Sequence, residues 1–161
     1  MSYKDFAIIL TWPDATIRGD EKWMMFFKKI GLVKNLNFKV GHTGVVIVNH
    51  HSGEMLFYDF GRYITPRGYG RARSKYSDPK LHIRLQAIIE NNKIKNIDQI
   101  VEYFEDMKPA MYGEGRLFFN IVSDINFQEA KAYGDYCVEQ GTYPYGAVAK
   151  NNNNCSRFIT R

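Results

Sequence analysis

Gly41-His42-Thr43-Gly44-Val45-Val46-Ile47-Val48 sets a histidine just ahead of four consecutive β-branched apolar residues. β-Branched side chains are stiff at χ1 and pack well on a pleated surface. The stretch therefore reads as the body of a strand over Lys39 to Asn49. His50-His51-Ser52-Gly53 follows as a turn, with Gly53 free to take positive φ. Glu54 to Phe60 then returns as the second strand of a hairpin. Side chains alternate across a strand. Pairing Asn49 with Glu54, or His51 with Glu54 if the loop is tight, puts Asp59 on the face of His42, one or two pairs away. A slip of one residue would bring Tyr58 or Phe60 there instead. Glu54 shares the parity but sits at the turn, too far from His42.

A second segment, Asn154-Cys155-Ser156-Arg157-Phe158, lies more than a hundred residues later. Asn154 has the chemistry of a helix cap, which leaves Cys155 in the first turn. Unpaired backbone N–H groups there favour a thiolate, the form in which cysteine attacks. The same groups can stabilise an oxyanion. His42 and Cys155 thus offer a base and a nucleophile, histidine first. Asp59 is the candidate third group that would orient the imidazole. Each residue also has a plainer role open to it. His42 suits a polar strand end, Cys155 a simple thiol, and Asp59 a turn before Gly61.

Working outward, Lys4 to Thr11 reads as a strand broken by Trp12-Pro13-Asp14. Glu21 to Ile30 reads as a helix ending at Gly31. Arg62 to Lys80 is expected as a long loop interrupted by Pro66, Gly68 and Gly70. Leu81 to Ala87 alternates as a strand with one solvent face. Asn96, with Gln99 three residues on, is expected to cap a helix carrying Ile97, Ile100, Val101, Phe104 and Met107. Arg116 to Val122 reads as a strand. Asn126 and Glu129 begin a helix that runs to about Gln140 before Gly141. Cys137 falls on its apolar face with Phe127, Ala130 and Tyr133, as a small hydrophobe. Thr142-Tyr143-Pro144-Tyr145-Gly146 reads as a rigid aromatic loop. No repeat or linker divides the 161 residues, so one domain is expected.

Composition narrows the function classes. A 45% hydrophobic and 15% aromatic content fits a folded chain, not a disordered one. Two cysteines form neither a disulfide framework nor a zinc cluster. His50 and His51 read as a solvated turn and His82 as an outward residue, so no metal or other cofactor is expected. No run approaches a membrane span. Met1 to Asp5 lacks the charged-then-apolar pattern of a secretory signal, and the cytoplasm is the expected compartment. Arg62, Arg67, Arg71, Arg73, Lys75 and Lys80, set against Asp78, amount to the whole net charge of +5. Positive potential is therefore local, and a nucleic-acid-binding face is not expected.

The histidine strand and the cysteine box together resemble the papain-like NlpC-type cysteine peptidases. In that superfamily a Pro-Tyr segment precedes an Asp-Cys-Ser or Asn-Cys box that opens a helix. Here Tyr143-Pro144-Tyr145-Gly146 precedes Asn154-Cys155-Ser156. The histidine-first order resembles a circularly permuted branch, which includes YiiX-like and lecithin–retinol-acyltransferase-like proteins. Its Gly-His-x-Gly strand is similar to Gly41-His42-Thr43-Gly44. The resemblance implies an α+β fold of permuted papain-like type, with an antiparallel sheet and flanking helices. It implies Cys155 as nucleophile, His42 as base and a polar third residue on the next strand, where Asp59 fits. It also implies a cysteine helix longer than the six residues after Cys155 allow, so the domain is expected to be cut within that helix.

The function that follows is cleavage of an amide bond through an acyl-enzyme. Tyr143 and Tyr145 would line the substrate cleft. Arg67, Arg71 and Arg73 would flank it and attract an acidic substrate, such as a peptide with free carboxylates; a solvated surface is the other reading of that loop. Acyl transfer to an alcohol or amine would use the same thioester. A non-catalytic module binding an anionic ligand through the Arg62–Lys80 loop is the alternative from another class.

Overall fold

A computed structural model describes residues 4–18, 29–30, 37–39, 41–146 and 152–160, the side chains of 17–18 and 37–39 excepted. The helix expected over Glu21 to Ile30 falls almost wholly outside them. Among the described residues six strands form one sheet: β1 (Asp5–Trp12), β4 (His42–Val48), β5 (Met55–Gly61), β6 (Tyr69–Arg73), β9 (Phe118–Ile125) and β10 (Thr142–Pro144). Their spatial order is β10-β6-β5-β4-β1-β9, and every neighbouring pair is antiparallel. Two small ribbons stand apart, β2 (Thr16–Arg18) with β3 (Asn37–Lys39) and β7 (Ile89–Glu90) with β8 (Lys93–Ile94). The α-helices lying wholly within the described residues are α1 (Ile97–Met107), α2 (Phe127–Glu139) and α3 (Cys155–Ile159). The protein is thus an α+β fold on an antiparallel sheet.

Both faces of the central strands are covered, which is why all seven residues of β5 are buried. Val46, Val48, Met55 and Phe57 share one core with Ile100 and Phe104 of α1 and with Leu81, Ile83 and Ala87. Ile47, Leu56 and Tyr58 face the other way, into a second core with Phe127 and Cys137 of α2 and Phe158 of α3. Period-two alternation assigns the apolar residues of β4 and β5 to one core or the other.

The hairpin takes the Asn49–Glu54 register. The Asn49 N–H donates to the Glu54 carbonyl at 2.9 Å, and Gly53 turns at φ +71°. Asp59 then faces Gly44. Asn126 caps α2, its side chain accepting from the Gln128 and Glu129 N–H groups.

Three local expectations are corrected. The basic stretch is not one loop, because Tyr69–Arg73 is a strand. Gly70 looks like a breaker in sequence but serves packing: a Cβ there would lie 2.7 Å from the Tyr145 ring and 2.8 Å from Phe60. Thr142 to Pro144 is an edge strand, and Pro144 is tolerated at that edge. Leu81 closes a short 3-10 turn (Pro79–Leu81), and 82–87, whose burial alternates broadly as expected, joins no sheet. It lies over the sheet's face, with the Arg84 N–H donating to the Tyr103 hydroxyl and the Ala87 N–H to the Gly53 carbonyl. Alternation reports one buried side, not strand pairing. Asn96, for its part, ties α1 to the preceding segment by accepting from the Ile88 N–H and donating to the Gln86 carbonyl.

Gly44 is required by contact, since a Cβ there would fall 2.5 Å from the Phe57 ring. Gly44→Ala is expected to lower stability by about 1–3 kcal/mol through overpacking, read from the urea midpoint. An unchanged midpoint would show that the ring yields freely.

Candidate active site

β4 begins at His42 and β5 ends just past Asp59, so two adjacent strands deliver these side chains to one face of the sheet. Asp59 has no solvent exposure and Arg73 has 2%. Burying a lone carboxylate is prohibitive, and a buried charge persists only when paired and hydrogen-bonded. Asp59 meets that demand in full. Arg73 Nε donates to Oδ1 at 3.0 Å and Nη2 to Oδ2 at 2.6 Å. The Tyr63 hydroxyl donates to Oδ2 at 2.6 Å, and His42 Nε2 lies 3.0 Å from the same oxygen. Burial pushes the carboxyl up, but the hydrogen bonds and charges of His42 and Arg73 hold it below the usual range.

His42 is nearly buried, stacked on Trp12 with ring centroids 6.1 Å apart and planes at 11°. Its Nε2 is engaged by Asp59 and lies 3.2 Å from the Tyr63 hydroxyl. That leaves Nδ1 as the nitrogen for a thiol partner. Cys155 lines the same cleft as the ring, and the two groups act on each other's proton affinity. Burial alone would lower the imidazole's proton affinity. The hydrogen bonds and charges of Asp59 and Cys155 outweigh it and raise His42 to about 9. Burial likewise pushes the Cys155 thiol up. The His42 bond and charge, the Thr43 backbone N–H and Ser156 bring it below its ordinary value. The arrangement favours a thiolate beside an imidazolium.

The asparagine run positions Cys155. Asn154 caps α3 by accepting from the Arg157 N–H at 2.9 Å. The Asn153 N–H donates to the Pro144 carbonyl and the Gly146 N–H to the Asn153 carbonyl, which lashes α3 to the end of β10. Phe158 anchors the helix from below, between the rings of Phe60 and Tyr133.

The site opens onto a cleft of about 510 Å³ whose walls include His42, Tyr63, Arg67, Tyr145 and Cys155. Of the residues expected at the site, His42, Asp59 and Cys155 converge, and Arg67 and Tyr145 line the cleft. Three others are placed elsewhere. Tyr143 packs on Phe60 in the second core, ring centroids 5.8 Å apart. Arg71 makes a two-point ion pair with Asp78, at 3.0 and 3.2 Å. Arg73 lies under the site on Asp59, where no substrate reaches it. Sequence reasoning missed Tyr63 and Trp12, and named Arg62 only as part of the basic loop. Arg62 lines the cleft with its guanidinium 4.6 Å from the centre of the Tyr145 ring. Tyr63 carried one usable signal, Gly61. A Cβ at Gly61 would fall 2.7 Å from the Tyr63 ring, so the glycine lets the tyrosine fold back onto Asp59. Among the described residues no three His, Cys, Asp or Glu side chains gather as a metal site. No helix among them is long and apolar enough to cross a membrane.

The family model for TseH-like type VI secretion system effectors matches residues 7–161. The chain belongs to this TseH-like effector family. Its fold is similar to the crystal structure of the type VI secretion system effector TseH, with a TM-score of 0.68 at 20% identity. The match covers 97% of this chain and 73% of that one. No curated protein matches the chain.

In this TseH-like chain, Asp59→Ala leaves Arg73 buried without its partner. The expected cost is about 3–5 kcal/mol in urea unfolding at neutral pH. Because the folded carboxyl sits below its unfolded value of about 3.9, its contribution is complete above that pH and is lost as the pH falls through the folded value. The gap between wild type and variant should therefore narrow in acid. Equal stabilities at neutral pH would contradict the buried pair.

Proposed function

We propose that this TseH-like effector is a thiol hydrolase of the permuted papain-like type that cleaves an amide bond through an acyl-enzyme. One observation carries the reading: a half-buried thiol beside a buried imidazole, itself held by a fully buried carboxylate, at the wall of a cleft. Cys155 attacks the acyl carbon as a thiolate, and the electron pair of the carbonyl moves to oxygen. As that oxygen re-forms its double bond, the C–N bond breaks. His42 gives its proton to the departing amine. His42, now neutral, takes a proton from water, whose oxygen attacks the thioester and releases the acid and the thiolate. Asp59 keeps the ring in the tautomer that faces sulfur.

Arg62 and Arg67 stand at the cleft, so the substrate is a peptide or related amide that presents an acidic group to them. The Tyr145 ring forms the floor beside Arg62. On this reading the cytoplasm is the compartment of synthesis, and the substrate lies where the effector is delivered.

A peptide vinyl sulfone tests the reading, because its addition requires both a thiolate and a proton donor. Labelling is expected at Cys155, absent in Cys155→Ala and reduced about 100-fold or more in His42→Ala. It should fall as the pH rises through about 9, where His42 loses its proton. Failure to label Cys155, or equal labelling after His42→Ala, would exclude the enzyme.

A further inference from the structure

A buried carboxylate facing only an imidazole has a defect as part of a proton shuttle. It binds the imidazolium so firmly that the ring parts with its proton reluctantly, whereas a general acid works best with proton affinity near the working pH. Asp59 is not in that position. The oxygen that accepts from His42, Oδ2, also accepts from the Tyr63 hydroxyl and from Arg73 Nη2, both at 2.6 Å. The two competing donors are closer than His42 Nε2 at 3.0 Å.

The Tyr63 hydroxyl is itself held in place. Arg73 lies against the face of the Tyr63 ring, 3.5 Å from its centre, and Tyr112 packs beside it at 5.2 Å between centroids. Gly61 leaves the space through which the ring folds back. The side chain thus bridges a carboxylate and an imidazole from a fixed platform, at 2.6 and 3.2 Å.

We propose that Tyr63 is a positioning residue: its hydroxyl clamps the Asp59 carboxylate and, with Arg73, divides that carboxylate's charge, so that His42 is oriented yet still able to release its proton. This deepens the thiol-hydrolase reading and rests on it. The other titratable and charged groups around the pair are Cys155 on α3, Arg73, Arg71 and Tyr69 on β6, Arg62 and Arg67 on the segment after β5, Tyr112 and Glu114 after α1, and Tyr145 after β10. Among the hydrogen-bond donors to Asp59, Tyr63 supplies the neutral one. It can therefore be removed without changing the charge of the site.

Tyr63→Phe keeps the ring, its packing on Arg73 and its place in the cleft wall, and removes only the hydroxyl. The test is a nitrogen-15 NMR titration of the His42 imidazole in the whole chain, assigned by the signal missing from His42→Ala. Losing the shorter bond, the one to Asp59, returns charge to Oδ2. The His42 titration should therefore move upward by roughly half to one pH unit, the size a single hydrogen bond carries. An unmoved titration overturns the proposal, even if the thermal midpoint falls, because that pattern belongs to a purely structural hydroxyl. A downward shift overturns it too, since the hydroxyl would then act chiefly as an acceptor for His42. Cys155→Ser in the same titration separates the two levels. It should lower the His42 value by removing the thiolate. A His42 value indifferent to Cys155 sinks the thiolate–imidazolium reading, whatever Tyr63→Phe does.

Discussion

The ion pair between Asp59 and Arg73 is the constraint on which the site depends. Neither side chain meets water, and each tolerates burial only because the other is there. The pair extends into a chain of alternating charge, with Arg73 positive, Asp59 negative, His42 able to become positive and Cys155 able to become negative. Arg73 and His42 both bond to Asp59, and Cys155 lines the same cleft as His42. Adding the imidazolium and thiolate to a buried neutral pair keeps the group neutral, which makes a thiolate sustainable in a half-buried position. A single buried aspartate without Arg73 would leave an excess charge under the sheet.

The fold supplies this chain from four places that only the sheet brings together. β4 and β5 carry His42 and Asp59 in fixed register, and β6 brings Arg73 directly opposite Asp59. The edge strand β10 and the asparagine run deliver α3, which is too short to hold itself in place. An isolated helix of that length is unstable in water. Its order comes from the Asn154 cap, the ties to Pro144 and Gly146, and Phe158 seated among aromatic rings. The two cores fix the faces of the strands, and so decide which residues point toward the cleft.

Much of this was legible in the sequence where local rules govern. The hairpin register follows from one turn and side-chain parity, and it put Asp59 on the face of His42 before any distance was known. Asn126 and Asn154 announced the starts of α2 and α3. What stayed hidden depended on partners remote in sequence. Gly70 and Pro144 look like loop residues, and only pairing across the sheet shows β6 and β10. Arg71 and Arg73 look like neighbours in a solvated basic loop; two apart on β6 they share a face of the sheet, yet one pairs with Asp78 and the other with Asp59. Recognising β6 would have put both on the face of Asp59, with their partners set by remote contacts. Tyr63 was readable only through Gly61, because its role is set by that glycine's missing side chain and not by a pattern of its own.

A thiol that loses its proton in a neutral, alternating-charge site carries a direct optical mark. The thiolate ultraviolet band at neutral pH, taken as the difference between wild type and Cys155→Ser, measures the ion pair without a substrate. The expected result is one thiolate per chain at pH 7, abolished by His42→Ala. A wild-type chain whose band appears only in the ordinary thiol range, near about 8.5, or one whose band survives His42→Ala, would contradict the thiolate–imidazolium site.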